Sequence, residues 1–222
     1  MEPGTPDRNR EKLPDEARRA IGFVNKVFTS FDFDWREKAK EMPAETFNQW
    51  RHDVTAACEA FWLGVKPAVL VENLKDPDAV QQYLDEAGRN AFVYRNTMIV
   101  DRDLVLQRVA DEPDFARELG WHDEMTVDDW LAQASPGGDG RQRSIIGFFL
   151  GYPRSAVNAY GNKQISEPRG VDIEGPNGGR AFYFTTDVQL AEADDVKALA
   201  ERTRNAFDKA GLGQFFRDKN GT

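Results

Sequence analysis

Apolar residues recur every three or four positions in two N-terminal stretches, a spacing that places them on one face of an α-helix. In the first stretch they are Ala17, Ala20, Ile21, Val24, Val27, Phe28 and Phe31. In the second they are Phe47, Trp50, Val54, Ala57, Cys58 and Phe61. Pro43 suits the first turn of the second helix, and Gly64 and Pro67 suit its end. The pattern therefore predicts two amphipathic helices.

Helix signals outnumber strand signals in the rest of the chain. Asp76 precedes Pro77 as a helix cap does, and Gly88 suits the C-terminal end of that helix. Thr126 and Asp129 have the spacing of a capping box for one of the later helices. We expect these later helices around Leu104, Phe115 and Trp130, and at residues 145–150, 153–160 and 191–210.

Short apolar runs predict strands at residues 68–71, 91–100, 171–173 and 181–186. The last two flank Pro176-Asn177-Gly178-Gly179, a favourable hairpin turn because Asn-Gly tolerates positive φ. Residues 135–142 are rich in Gly and predict a flexible loop.

These elements predict a single α+β domain, predominantly helical. We expect its helices to pack on one small sheet built from residues 68–71, 91–100 and 181–186. The domain covers residues 14–216, between a disordered leader at residues 1–13 and a flexible tail at residues 217–222.

The composition is that of a folded intracellular protein. Of the 222 residues 40% are hydrophobic, with 5 Trp and 15 Phe, so the chain can bury a core without disulfides or metal. No apolar run approaches the ~20 residues that span a bilayer, which argues against a membrane partner. Residues 1–13 lack the apolar segment of a signal peptide, and one cysteine permits no internal disulfide. We therefore expect a cytoplasmic protein.

The net charge of −9 argues against a nucleic-acid partner, because binding phosphates requires clustered Lys and Arg. Acidic residues concentrate between residues 101 and 130, which could attract a cationic partner but is more typical of a solvated face. The sequence has no phosphate loop, dinucleotide fingerprint, nucleophile elbow or Cys-x-x-Cys pair. It therefore identifies no cofactor.

The chain has only two histidines. His52 lies opposite the apolar face of the second predicted helix, so we expect it to be exposed. His122 lies in an acidic segment and is either a solvated turn residue or part of a site for metal-assisted hydrolysis. Such a site would combine it with Asp123, Glu124 and Asp101 or Asp103. We assign no metal ligands from this pattern.

Cys58 is the candidate for covalent chemistry. It falls on the apolar face of the second helix, and the chain turns at Gly64 before it reaches Lys66. An ammonium group near the sulfur would favour the thiolate and make Cys58 a nucleophile. No His is placed to act as its base, and a small core residue that burial makes inert is the simpler interpretation.

A second segment of interest runs from residue 146 to residue 153. Gly147 and Gly151 lie four positions apart in an apolar stretch, which permits close backbone packing. Glycine in a tight corner can also open space for a ligand, and the hydroxyl of Tyr152 would then be its polar partner.

Several short motifs occur in one order along the chain. Cys58 is followed by Gly64-Val65-Lys66-Pro67-Ala68-Val69-Leu70, then by Tyr94-Arg95, Leu119-Gly120-Trp121 and Leu150-Gly151-Tyr152-Pro153. Over about half of the chain, this order resembles an uncharacterised bacterial family, a domain of unknown function. The family's Pro-His-Glu-Ile-Gly stretch is replaced here by Arg143-Ser144-Ile145-Ile146-Gly147, and its Cys-Gly-x-Trp element is not recognisable. The resemblance implies a shared fold and pocket, and no particular reaction.

Two functional hypotheses follow. The first is a non-catalytic binding or regulatory module, with Lys66, Tyr94, Arg95 and Tyr152 lining a pocket for a small-molecule ligand or a protein partner. The alternative is a small thiol-dependent enzyme in which Cys58 attacks an electrophile and Lys66 or Arg95 stabilises the developing anion.

Overall fold

The computed structural model describes residues 13–31, 40–71, 73–135, 138–161 and 165–212. The expected tail at residues 217–222 lies outside these ranges, and so does the expected leader except for its last residue. That residue, Leu13, is buried against the first core, so the folded domain includes it.

The two predicted amphipathic helices are confirmed as α1 (Asp15–Thr29) and α2 (Ala44–Trp62). They pack against each other through their aromatic residues, with the rings of Phe23 and Phe61 stacked at 5.4 Å. Gly64 takes a positive φ of 76° directly after α2, which is the backbone conformation that makes glycine the favoured residue there.

The first sheet is antiparallel, with β1 (Ala68–Leu70) and β2 (Ala91–Tyr94) on either side of β3 (Met98–Asp101). The single strand predicted at residues 91–100 is therefore wrong. Arg95 and Asn96, with φ of 47° and 58°, are the central residues of a turn in which the Thr97 N–H donates to the Tyr94 carbonyl oxygen at 3.1 Å, and this turn folds the segment into a hairpin. Two successive positive φ values are typical of a type I′ turn, in which Asn is favoured.

The second sheet is the predicted hairpin, formed by β4 (Pro168–Glu174) and β5 (Arg180–Asp187). The prediction that residues 181–186 join the first sheet is wrong, because β5 packs against helices instead. The turn lies directly on α2, since a β-carbon on Gly179 would overlap the His52 carbonyl group. The backbone N–H of Arg180 donates to the carboxylate of Asp53 at 2.8 Å, which holds the hairpin there.

The remaining helices lie close to their predicted positions, and several begin with side-chain caps. They are α3 (Pro77–Glu86), α4 (Arg102–Asp111), α5 (Pro113–Glu118), α6 (Val127–Ala132), α7 (Gly140–Phe149), α8 (Arg154–Gly161) and α9 (Asp194–Lys209). Asp76 caps α3, and Thr126 accepts from the N–H of Asp129 to cap α6, as predicted. Asp139 and Gln142 form a capping box for α7, so this helix begins inside the segment predicted as a flexible loop.

The buried residues form two apolar clusters. The first core lies between α1, α2, α3 and β5, and contains Phe23, Phe61 and Phe182. The second core lies between β3 and the helices α5 to α7, and centres on Trp130 and Phe148. The segment between α7 and α8 packs against both cores, so they form one predominantly helical α+β domain.

In the described ranges, no helix is both long enough and apolar enough to span a bilayer.

Candidate functional site

The two motif segments, residues 64–70 and 150–153, meet in space. Gly151 has a positive φ of 76°, and a β-carbon there would lie 2.8 Å from Pro67 Cδ and 3.3 Å from Phe182. Because real β-carbons are not found that close to a neighbour, only glycine lets the α7–α8 turn pack on Pro67. This contact places the side chain of Tyr152 beside that of Lys66.

Lys66 is buried at this junction, with only 5% of its surface exposed. Its Nζ atom donates a hydrogen bond to the Ala181 carbonyl oxygen at 3.0 Å. The same atom lies 4.2 Å from the centre of the Phe182 ring and 5.6 Å from that of Tyr152. Burial lowers the pKa of Lys66 to about 7, and the nearby Cys58 only partly offsets this effect. The ammonium form is therefore in balance with the neutral amine near neutral pH.

Cys58 is fully buried in the first core. Burial raises the pKa of its thiol, the carboxyl group of Glu59 raises it further, and Lys66 lowers it only in part. Lys66 does lie close enough to act on the sulfur electrostatically, but desolvation dominates. A thiol held in its neutral form is a poor nucleophile, so this geometry does not support the thiol-dependent enzyme, which stays a prediction.

We expect native Cys58 to resist dithiobis(nitrobenzoate) at pH 8 and to react at once after unfolding in guanidinium chloride. Glu45→Cys, on the exposed face of the same helix, provides the matched control and is expected to react in the native state. Absorbance of the released thiolate measures both rates. Native Cys58 that reacts as fast as the introduced cysteine would contradict the buried position.

Glu59 is a buried charged residue that sequence reasoning missed. It is 1% exposed, and its Oε2 atom has no hydrogen-bond partner among the described residues. Burial raises its pKa to about 8. Helical spacing places Glu59 with His52 on the face opposite the apolar residues, so the sequence carries no sign that this carboxyl group is buried.

Tyr94 and Arg95 lie away from Lys66. Tyr94 ends β2 and packs against the second core, where its hydroxyl is buried without a partner among the described residues. Arg95 is exposed in the β2–β3 turn, with its guanidinium 4.9 Å from the Tyr94 ring. Lys66 precedes β1 at the opposite end of the sheet, so at about 3.3 Å per residue roughly 15 Å separates them along the strands. The structure thus brings Lys66 and Tyr152 together, with Cys58 nearby, and leaves Tyr94 and Arg95 elsewhere.

Two of the acidic residues proposed for metal-assisted hydrolysis have other partners. Asp101 caps α4 and forms an ion pair with Arg89 at 3.1 Å, and Asp103 accepts from Asn90 at 2.8 Å. His122 is exposed, as is His52. Within the described ranges, no three His, Cys, Asp or Glu side chains are grouped so as to hold a metal ion.

A cavity of about 260 Å³ lies between α7, α8 and β5 on the outer side of Tyr152. We call it the tyrosine cavity. Gly147 and Val157 form part of its wall, where a β-carbon on Gly147 would already touch Val157 at 3.0 Å. Its other lining residues are Arg143, Ser144, Ile146, Tyr152, Ala156, Tyr160, Tyr183, Phe184 and Thr185. The walls are therefore mainly aromatic and aliphatic.

A second cleft of about 280 Å³ lies on the other side of the α7–α8 turn, against α4 and α9. Its charged lining residues are Arg108, Arg154, Arg202, Asp111, Glu112 and Asp195. Several of these groups have partners in the surrounding side chains and backbone. Arg108 pairs with Glu112 at 3.1 Å and donates to the carbonyl groups of Phe148 and Tyr152, which stabilises the end of α7 and the turn. The cleft is thus a structural junction.

Sequence reasoning found Tyr152 and Gly147 but missed the rest of the tyrosine cavity. Tyr160 and Tyr183 are each about half exposed, which is unusual for large side chains in this protein. The alternation of buried and exposed residues along β5 could have identified Tyr183. Nothing in the pattern places Arg143 beside either tyrosine.

Compared with known proteins, the chain matches no protein-family model, no curated protein and no solved structure, so its function has to be inferred from its own residues.

Proposed function

We propose that this protein is a cytoplasmic, non-catalytic module that binds a small, largely apolar molecule in the tyrosine cavity. The observation that carries the proposal is the cavity's construction. It is concave, apolar walls surround it, and a few polar groups converge on it, which is the usual character of a small-molecule site.

The size of the cavity supports a compact ligand. Sites for drug-sized molecules enclose roughly 300–1,000 Å³, and the tyrosine cavity encloses about 260 Å³. It therefore suits a molecule of one or two rings. The half-exposed rings of Tyr160 and Tyr183 would provide flat surfaces against which such a ring can pack.

The part of the cavity wall formed by Tyr152 and Phe184 is rigid. The Tyr152 ring lies 5.3 Å from that of Phe184, and burial raises the pKa of Tyr152 to about 12, so its hydroxyl stays protonated. Gly147 and Gly151 hold the backbone of α7 close to α8 and to Pro67. A site with a fixed shape loses little conformational entropy on binding.

Binding of a neutral ring compound tests the proposal. We expect naphthylmethanol to bind the native protein in calorimetric titration. Thr185→Trp adds an indole to the cavity wall, on a strand where aromatic residues are well tolerated, and is expected to weaken binding at least about tenfold. Thr29→Trp adds the same indole at the exposed end of α1 and is expected to leave binding unchanged.

Equal binding by both tryptophan variants would show that the ligand lies elsewhere, and absence of binding to the wild type would contradict the proposal. Binding of a protein partner and membership of the bacterial family stay predictions.

A further inference from the structure

We propose that the ligand of the tyrosine cavity is a planar anion, such as an aromatic carboxylate, with its charge held by Arg143. This inference rests on the proposed function and adds to it the chemical class of the ligand. It depends on the charges that line the cavity and on how Arg143 is held.

The charge lining the tyrosine cavity has one sign. Arg143 is its only charged lining residue among those the structure describes, and no carboxylate faces it there. The net charge of the cavity lining is opposite in sign to that of the whole chain, in which 38 acidic residues exceed 29 basic ones. It also differs from the cleft beside Arg108, where three arginines face three carboxylates. A lone cation in an apolar site attracts an anion more strongly than one at the open surface.

Arg143 lines the cavity and is held in place while much of its donor capacity stays unused. One of its terminal N–H groups donates to the Gly138 carbonyl oxygen, and its guanidinium lies 5.9 Å from the Tyr160 ring centre. Within the described ranges no carboxylate pairs with it. Arginine has five N–H donors, and two of them can bind a carboxylate side by side. The guanidinium is thus oriented by neutral groups and keeps donors for a ligand.

Arg180, which lies beside the cavity-lining Tyr183, is already neutralised. Arg180 lies over the Tyr183 ring at 4.7 Å, but it forms an ion pair with Asp53 and lies 3.8 Å from Asp172. It therefore supports the position of the Tyr183 ring and leaves the ligand charge to Arg143. An anion at Arg143 would have the rings of Tyr160 and Tyr183 in the same cavity to pack against.

Three naphthalene compounds of similar size, whose substituents are anionic, neutral and cationic, test this inference: naphthoate, naphthylmethanol and naphthylmethylammonium. By calorimetry at pH 7.5 we expect naphthoate to bind wild type about tenfold more tightly than the alcohol, the factor expected for one charge-assisted hydrogen bond. The ammonium compound is expected to bind most weakly.

Arg143→Gln should remove the advantage of naphthoate while naphthylmethanol binds as before, which also shows that the variant is folded. Arg143→Lys should restore part of the advantage. Arg117→Gln removes an exposed arginine on α5 and should behave as wild type.

Every other outcome overturns either the anion inference or the proposed function as well. Equal affinity of wild type for naphthoate and the alcohol overturns the anion inference and leaves the proposed function standing. Tightest binding of the ammonium compound, or a naphthoate advantage that persists in Arg143→Gln, also overturns it. If none of the three compounds binds wild type, the proposed function fails with it.

Discussion

Replacing Trp130 by alanine is expected to lower the free energy of unfolding by about 3–5 kcal/mol, the range for removing a large aromatic side chain from a core. Trp130 is 0% exposed and lies 4.9 Å from the Phe148 ring and 5.3 Å from the Phe149 ring. Truncation of a fully buried ring of this size leaves a cavity in the core. Guanidinium chloride unfolding followed by circular dichroism measures the change.

Two control substitutions separate ring volume from the indole hydrogen bond. Trp130→Phe is expected to cost far less, because the Leu119 carbonyl that accepts from the indole N–H also accepts from Arg141 at 3.1 Å. Trp121→Ala removes a partly exposed ring of the same cluster and should also cost less. A loss below about 1 kcal/mol for Trp130→Ala would contradict the central place of this ring in the second core.

The second large effect is a minimum of stability near pH 7–8, caused by Glu59 and Lys66. Burial raises the pKa of Glu59 from 4.5 to about 8, so its stabilising contribution is complete below pH 4.5 and is lost as the pH rises through 8. Burial lowers the pKa of Lys66 from 10.5 to about 7. Between pH 7 and 10.5 Lys66 therefore keeps its proton in the unfolded state and has lost it in the folded state, so the contribution of Lys66 to stability rises with pH. Each group changes stability by at most about 1.4 kcal/mol per pH unit.

Variants show that Glu59 causes the fall of stability with pH and that Lys66 causes the rise. Glu59→Leu is expected to remove the fall between pH 5 and 7 and to raise the free energy of unfolding at pH 8 by about 1–3 kcal/mol, because it removes a buried polar group without a partner. Lys66→Met should remove the rise between pH 8 and 9; above pH 9 the raised pKa of the buried Cys58 thiol lowers stability in both proteins. Glu45→Leu, exposed on the same helix as Glu59, should keep the wild-type profile. A Glu59→Leu profile parallel to that of wild type would show that Glu59 does not titrate as its burial requires.

Elements with strong local signals could be predicted from the sequence. The spacing of apolar residues predicted α1 and α2, and the caps at Asp76 and Thr126 predicted where α3 and α6 begin. Sequence reasoning failed at Asn96, because the flanking apolar residues continue the strand pattern while the turn depends on two φ values. It also failed to assign β5, whose alternation fits either sheet.

In the candidate site, too, the sequence predicted some residues correctly and others not. Tyr152 and Lys66 were identified from their motifs, and they do lie together. Tyr94 and Arg95 were identified in the same way but lie at the far end of the first sheet, because they are at the β2–β3 hairpin turn. Arg143 and Tyr183 carried no motif and line the cavity because α7 and β5 pack side by side.

The order of amino acids alone determined the helical character of the chain, its caps and its β4–β5 hairpin, because each depends on residues within a few positions of one another. Tertiary packing decided which strands pair, that Glu59 and Lys66 lose contact with water, and that Arg143, which has no carboxylate partner among the described residues, faces an apolar cavity. Burial and cavity shape are sums over residues far apart in sequence, so no local pattern contains them.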